Sequence, residues 1–237
     1  MATIGYKLTH DAGFAPNPFH GFLTLATCKP VIRRCRVKYD WVAGFASITL
    51  ANLAKSKGVF IDPHALVYLM QITEEPIRLL SYFEDPRFVK KKPDLFSSKQ
   101  VDRCGDNIYY AVGASIHQLP NDHHTDDEVG HDLGGLNAIV SNNFYYFGQN
   151  AFMPDEGWTA FLGQELSKAR TFMCPPILVP RLLERFRQQR IQKGLNGTPC
   201  LWPMDEEIPK FGTEKAGRSS SGCAGSPTKL IADRPCR

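Results

Sequence analysis

The run His64-Ala65-Leu66-Val67-Tyr68-Leu69-Met70-Gln71-Ile72-Thr73 most constrains the fold of this chain. It is almost wholly apolar at its centre and is bounded by Pro63 before it and Glu74-Glu75-Pro76 after it. Its length suits a central strand better than a helix. Such a strand needs partners on both sides, and the chain offers strand-like segments at 3–9, 21–27, 41–47, 107–112, 138–140 and 143–148. Pro76 opens a short helical pattern through Ile77, Leu79, Leu80 and Phe83, which stops at Asp85-Pro86. Helical periodicity returns at 155–170 and 178–193. Val31-Ile32-Arg33-Arg34 stays open between strand and helix, and residues 48–61 read as a solvated excursion. Strands first and helices last make an α+β fold rather than a βαβα one. The expectation is a mixed, mostly antiparallel sheet, or a small β-barrel, with peripheral helices and a C-terminal helical region.

A chain of 237 residues can hold one large domain or two small ones, and a single domain over 1–204 is predicted. From 205 to 237 glycine, serine, proline and charge dominate, so a disordered tail is expected there. No stretch approaches the roughly 20 apolar residues of a membrane helix, and no secretory signal opens the chain. A cytoplasmic setting with free thiols is therefore expected. None of the cysteines shows C-x-x-C spacing, which argues against a zinc ribbon or a redox motif. Small apolar filler or surface thiol is the default reading for each of them. The phosphate-binding, dinucleotide-binding and nucleophile-elbow glycine motifs are missing as well.

The chemistry-bearing residues cluster in loops. Thr9 to Gly21 packs His10, Asp11, Gly13, Phe14, Asn17, Phe19 and His20 between two apolar runs. A rigid turn-rich loop accounts for Asp11, Gly13 and Pro16-Asn17-Pro18. A site for an anionic, planar ligand accounts for them too, and adds the acid-free basic run Lys29, Arg33, Arg34, Arg36, Lys38. The candidate acid-base groups are His10 with Asp11 and His131 with Asp132, because imidazole titrates near neutrality. Neighbours on a strand point to opposite faces, so a direct His10–Asp11 dyad requires the strand to have ended. Lys29, Arg33 and Arg34 are candidate phosphate contacts. Trp41 and Tyr110 are candidate stacking rings. Asn17, Asp106 and Asn107 are candidate readers of polar edges. Each has a plainer alternative: a charged edge strand, core aromatics, or turn chemistry at Cys104-Gly105-Asp106-Asn107. Basic segments recur at 87–92 and 181–193, which favours nucleic acid or a nucleotide as partner. His117, His123, His124 and His131 stand among carboxylates but match no strong metal signature, so no metal or cofactor is assigned.

Several strings together resemble a known family. They are Thr9-His10-Asp11-x-Gly13-Phe14-Ala15-Pro16-Asn17-Pro18-Phe19, Cys28-Lys29-Pro30-x-Ile32-Arg33, Asp40-Trp41-Val42-x-Gly44, Gly105-Asp106-Asn107-Ile108-Tyr109-Tyr110, His131-Asp132 and Phe144-Tyr145-Tyr146-Phe147-Gly148. The resemblance is to the nucleotide-modification-associated domain family, type 2, over about residues 1–200. It implies a link, by genomic context, to base modification in phage and bacterial DNA, and it implies no particular reaction. A fold-level resemblance, carried by Asp40-Trp41-Val42 and the run Val67 to Thr73, is to the PUA, ASCH and EVE group of small β-barrels. It implies a cleft for RNA or modified bases. The expected function is recognition of a modified base or nucleotide in a basic, aromatic cleft. The alternatives are an enzyme using His/Asp acid-base chemistry and a non-catalytic component of a phage or defence modification assembly.

Overall fold

The computed structural model describes residues 1–202; the tail expected from residue 205 onward lies outside them. The strands in chain order are β1 (Thr3–Leu8), β2 (Leu23–Leu25), β3 (Trp41–Ala46), β4 (Leu66–Gln71), β5 (Ile77–Arg78), β6 (Tyr109–Val112), β7 (Ser115–Gln118), β8 (Asn137–Ser141), β9 (Asn143–Tyr146), β10 (Thr171–Met173) and β11 (Gly194–Leu195). The chain forms two compact units. One holds Met1–Ala12, Lys38–Thr73 and the segment that begins at Ser141; the other holds Gly13–Val37 and Glu74–Val140. Among the described residues no helix is long and apolar enough to cross a membrane.

The first unit is built on a sheet of order β10-β1-β3-β4-β9-β11. β1 and β3 run parallel, whereas β10–β1, β3–β4 and β4–β9 are antiparallel. The apolar run at 65–72 supplies β4, with Leu66 to Met70 fully buried. Gly44 sits where the Tyr68 ring crosses β3, and an added Cβ there would collide with that ring. One side of the sheet packs Phe45, Leu69, Phe147, Phe152, Trp158 and Phe186 into a continuous core. The sheet does not close, which corrects the PUA-like barrel expectation. Closure needs long staggered ladders all the way round, and the strands at the two edges, β10 and β11, have three and two residues.

Residues 48–56 also depart from expectation. They form the helix Ile48–Ser56 rather than an excursion. Ser47 caps it by accepting the Leu50 N–H at 3.0 Å, and Leu50, Ala51 and Ala54 face inward. The cap and this i, i+4 spacing outweigh the lysines on the exposed face.

The second unit carries a small sheet of order β2-β8-β5 and the hairpin β6–β7. Its core gathers Phe14, Tyr82, Phe88, Ile108, Tyr109 and Val140. The ambiguous basic segment is the helix Pro30–Cys35, with proline in its first turn. Proline's fixed φ suits that position, and its missing N–H costs nothing there. The histidine- and carboxylate-rich stretch from His117 to His131 includes the end of β7 and the start of the helix Val129–Leu133.

Candidate active site

The turn between β2 and the helix Pro30–Cys35 places Cys28 and Lys29 at φ of 56° and 43°. The left-handed region is uncommon for residues with a Cβ, so something must hold it. Two groups hold Cys28. Its N–H donates to Asp132 Oδ1 at 2.6 Å, and its carbonyl accepts Arg33 Nε at 2.6 Å. Arg33 is fully buried and continues to the carbonyls of Asn137 at 2.8 Å and Asp132 at 2.5 Å. Gly135 leaves the room the guanidinium needs, since a Cβ there would overlap it.

The Cys28 Sγ lies 3.3 Å from His124 Nε2, and His124 Nδ1 lies 2.8 Å from Asp132 Oδ2. The Tyr109 hydroxyl donates to the same carboxylate oxygen at 2.8 Å. Sulfur, imidazole and carboxylate thus form one chain of contacts. The His124 loop is tied down by Asn121 Oδ1, which accepts the N–H groups of His123 and His124 at 2.9 and 2.7 Å. Gln118 Nε2 donates to the His124 carbonyl at 2.9 Å. Phe14 stacks on His123 and meets His124 edge-on, at 4.6 and 4.9 Å between centroids. The His124 side chain is 10% exposed and that of Asp132 not at all.

Electrostatics separate the two adjacent histidines. Burial lowers the His123 pKa. Burial also acts against a charged His124, but its bonds to Asp132 and Cys28 override that and push its pKa up to about 10. For Asp132, burial favours the neutral acid, yet hydrogen bonds from His124 and Tyr109 and the His124 and Arg33 charges hold it below the usual carboxylate range. Burial, then the Asp132 charge, raises the Tyr109 phenol. The geometry places the His124 ring between a carboxylate and a sulfur, and the raised pKa favours its protonated form there.

Cys28, His124 and Asp132 also bring three potential metal-ligand atoms within 4.8 Å of one another. The imidazole separates two of them: Nε2 faces sulfur and Nδ1 faces the carboxylate. A cation beside Sγ and Nε2 would have Asp132 behind the ring, leaving two protein ligands where a structural zinc takes four. The set fits a proton relay better than a metal cage.

Of the residues singled out in the sequence, Asp132 and Arg33 stand in this cluster, and Lys29 follows Cys28 in its turn. Arg34 donates to the Gly134 carbonyl at 3.0 Å. His131 is exposed on the helix that carries Asp132. Asp106 is buried and accepts from Thr24 Oγ1 at 2.8 Å and the Tyr82 hydroxyl at 2.9 Å. Asn17 is buried between the Cys104 carbonyl and Lys91 Nζ, and Asn107 donates to the carbonyls of Tyr82 and Phe88. Tyr110 stacks between Phe83 and His117, at 5.3 and 5.5 Å. His10, Asp11 and Trp41 belong to the first unit. There His10 is exposed, Trp41 lies in the core, and Asp11 accepts the Tyr146 hydroxyl at 2.5 Å and the Cys200 N–H at 2.9 Å. The basic segments are largely engaged within the fold: Arg87 pairs with Asp85 and Glu74, Arg185 with Glu156, and Arg187 with Glu184, while Lys91 is enclosed.

Sequence reasoning missed Cys28, His124 and Tyr109. The usable signal was a cysteine at a strand-to-helix turn together with histidine and aspartate elsewhere in the chain. Such partners meet in space rather than in sequence, and treating every cysteine as filler hid them.

The family model for nucleotide modification associated domain 2 matches residues 2–204, and the chain belongs to that family. No curated protein and no solved structure matches it.

Proposed function

We propose that this member of the nucleotide modification associated domain 2 family is a thiol enzyme that acts on a nucleotide or nucleobase through a covalent bond to Cys28. The observation that carries this reading is the continuous contact from Cys28 Sγ through His124 to Asp132. In the proposed reaction the Cys28 sulfur is the nucleophile, and the protonated His124 beside it stabilises the thiolate and is the proton donor of the later step. Asp132 fixes the tautomer and orientation of the ring, the role a carboxylate has in triads generally. An imidazolium 3.3 Å from Sγ is the partner that a reactive thiolate needs. Tyr109 and Arg33 act on Asp132 and on the backbone of the turn and need not touch substrate.

A pure reader of modified bases has no use for a thiol so placed. Such a reader needs rings and cations facing a ligand, whereas Trp41 is enclosed in the core of its unit and Arg33 is engaged with three carbonyls. The family's association with nucleotide modification supports the substrate class, and the Cys28–His124–Asp132 contacts support the chemistry.

The test is incubation of the purified full chain with nucleotide pools and with DNA, followed by nucleoside mass spectrometry and intact-protein mass. The wild type is expected to change a nucleoside or to carry a nucleotide-derived mass on Cys28, and Cys28→Ala to do neither. Turnover that survives Cys28→Ala overturns the reading. So does a Cys28 no more reactive toward iodoacetamide than the buried thiols of the same chain.

A further inference from the structure

We infer that the β6–β7 hairpin positions the relay, with Tyr109 and Gln118 as its two positioning residues. This rests on the thiol reading above and names what holds His124 and Asp132 in place for it. The hairpin turns between Val112 and Ser115, where Gly113 takes a φ of 60°. A turn that tight fixes the register of the strands. It sets Tyr109 opposite Gln118 and Tyr110 opposite His117. Opposed residues share a face, and successive pairs alternate faces.

The first pair takes one member of the relay each. The Tyr109 hydroxyl donates to Asp132 Oδ2 at 2.8 Å, and Gln118 Nε2 donates to the His124 carbonyl at 2.9 Å. The second pair stacks its rings at 5.5 Å, with Tyr110 also against Phe83. A slip of one residue would exchange the two faces and take both donors from the relay.

The two residues act differently. Tyr109 acts on charge. Its hydroxyl and His124 Nδ1 meet the same carboxylate oxygen, while the other oxygen accepts the Cys28 N–H. Burial, then the Asp132 charge, raises the Tyr109 phenol, so the hydroxyl stays protonated and donates. A bond donated to a carboxylate favours its ionised form. The groups facing Asp132 are His124 from its loop, Tyr109 from β6, Arg33 from the helix Pro30–Cys35 and the Cys28 turn. Tyr109 is the neutral side chain in that set, and phenylalanine would keep its ring in the core while removing the donor. Gln118 acts on place. It holds the His124 carbonyl, while Asn121 Oδ1 holds the His124 N–H at 2.7 Å. Gripped at both backbone groups, the residue keeps its ring 3.3 Å from Sγ.

The experiment uses the full chain as wild type, Tyr109→Phe, Gln118→Leu, Asp132→Asn and the Tyr109→Phe/Asp132→Asn double variant. Cys28 alkylation by iodoacetamide is followed against pH, and the Asp132 carboxyl is titrated by carbon-13 NMR. Urea unfolding checks each fold. In Tyr109→Phe the carboxyl midpoint and the acid limb of alkylation should both move up by about one pH unit, with the rate above the limb unchanged within about twofold. Gln118→Leu should slow alkylation by about threefold or more at every pH and leave the limb in place. In the Asp132→Asn background Tyr109→Phe should change nothing further, since it acts through that carboxylate. A carboxyl midpoint unmoved in Tyr109→Phe, or a Tyr109→Phe effect that persists without Asp132, overturns the role of Tyr109. A wild-type rate in Gln118→Leu overturns the role of Gln118. A wild-type Cys28 no more reactive than the buried thiols removes the thiol reading instead, and the carboxyl midpoint then still decides whether Tyr109 sets the charge of Asp132.

Discussion

Asp11 and Asp132 start from the same local sequence and finish in different chemistry. Each follows a histidine, each is buried at 1% or less, and each histidine points into solvent. In the first unit Asp11 meets the Tyr146 hydroxyl and the Cys200 N–H. Burial, with the Asp11 charge next, pushes the Cys200 thiol well up and keeps it protonated. In the second unit Asp132 also meets a tyrosine and a cysteine N–H, but His124 stands between the carboxylate and the Cys28 sulfur. The difference is one imidazole, which in the second unit lies between the carboxylate and the sulfur. On the thiol reading proposed above, the chemistry belongs to that ring rather than to a buried carboxylate near a thiol.

The comparison can be broken most directly at the sulfur. Cys28→Ala is expected to abolish turnover, and His124→Ala to slow alkylation and turnover by roughly 10²–10⁴-fold. Stopped-flow iodoacetamide labelling with peptide mass mapping reads this. Among the free thiols of the described residues, Cys28, Cys104, Cys174 and Cys200, Cys28 alone should label rapidly in the folded protein. Rapid labelling of Cys200 would erase the difference between the units. The two aspartates give the paired test. Asp132→Asn should lower Cys28 reactivity by about tenfold or more. Asp11→Asn should leave it unchanged while destabilising the fold by about 1–3 kcal/mol, read by urea unfolding.

The His124 titration sharpens the same contrast. By ring NMR, His124 should still be protonated at neutral pH and titrate near 10. In Asp132→Asn the midpoint should fall, because the carboxylate contributes the leading opposition to burial. The sign for stability follows from a raised folded-state pKa. The His124 contribution is complete below the ordinary value of 6.5 and fades as pH rises through about 10. Asp132, with its pKa lowered, contributes above the usual 3.8 and loses its contribution as pH falls. The smallest effect is expected at Gly135. Gly135→Ala pushes on the Arg33 guanidinium and should cost about 1–3 kcal/mol. Part of the Cys28 reactivity should be lost with it, since Arg33 holds the Cys28 carbonyl.

Parts of this architecture were legible from local pattern and parts were not. The strand at 66–71 and the edges of β1, β3 and β9 follow from apolar runs and their punctuation, because a buried strand cannot avoid being apolar. The helix at 48–56 was misread because lysines on its outer face masked a cap and an inward stripe. The barrel expectation failed because closure depends on the length of the edge strands, which no single segment reveals. At the site, Asp132 was singled out as the partner of His131 and Arg33 as a phosphate contact, yet Asp132 meets His124 and Arg33 binds three carbonyls inside the unit. Cys28 looked like filler because a thiol's chemistry comes from its neighbours.

The sequence by itself determined the mixed α+β content and the central strand, which rest on composition and short-range spacing, and its longer strings carried the family resemblance. Only the tertiary structure decided which histidine meets which carboxylate. Cys28, His124 and Asp132 span 104 positions of chain, and their meeting depends on how β2, the His124 loop and the helix Val129–Leu133 pack. Contacts at that separation are set by burial of the whole unit, and burial also determines whether a charge is shielded or left to act.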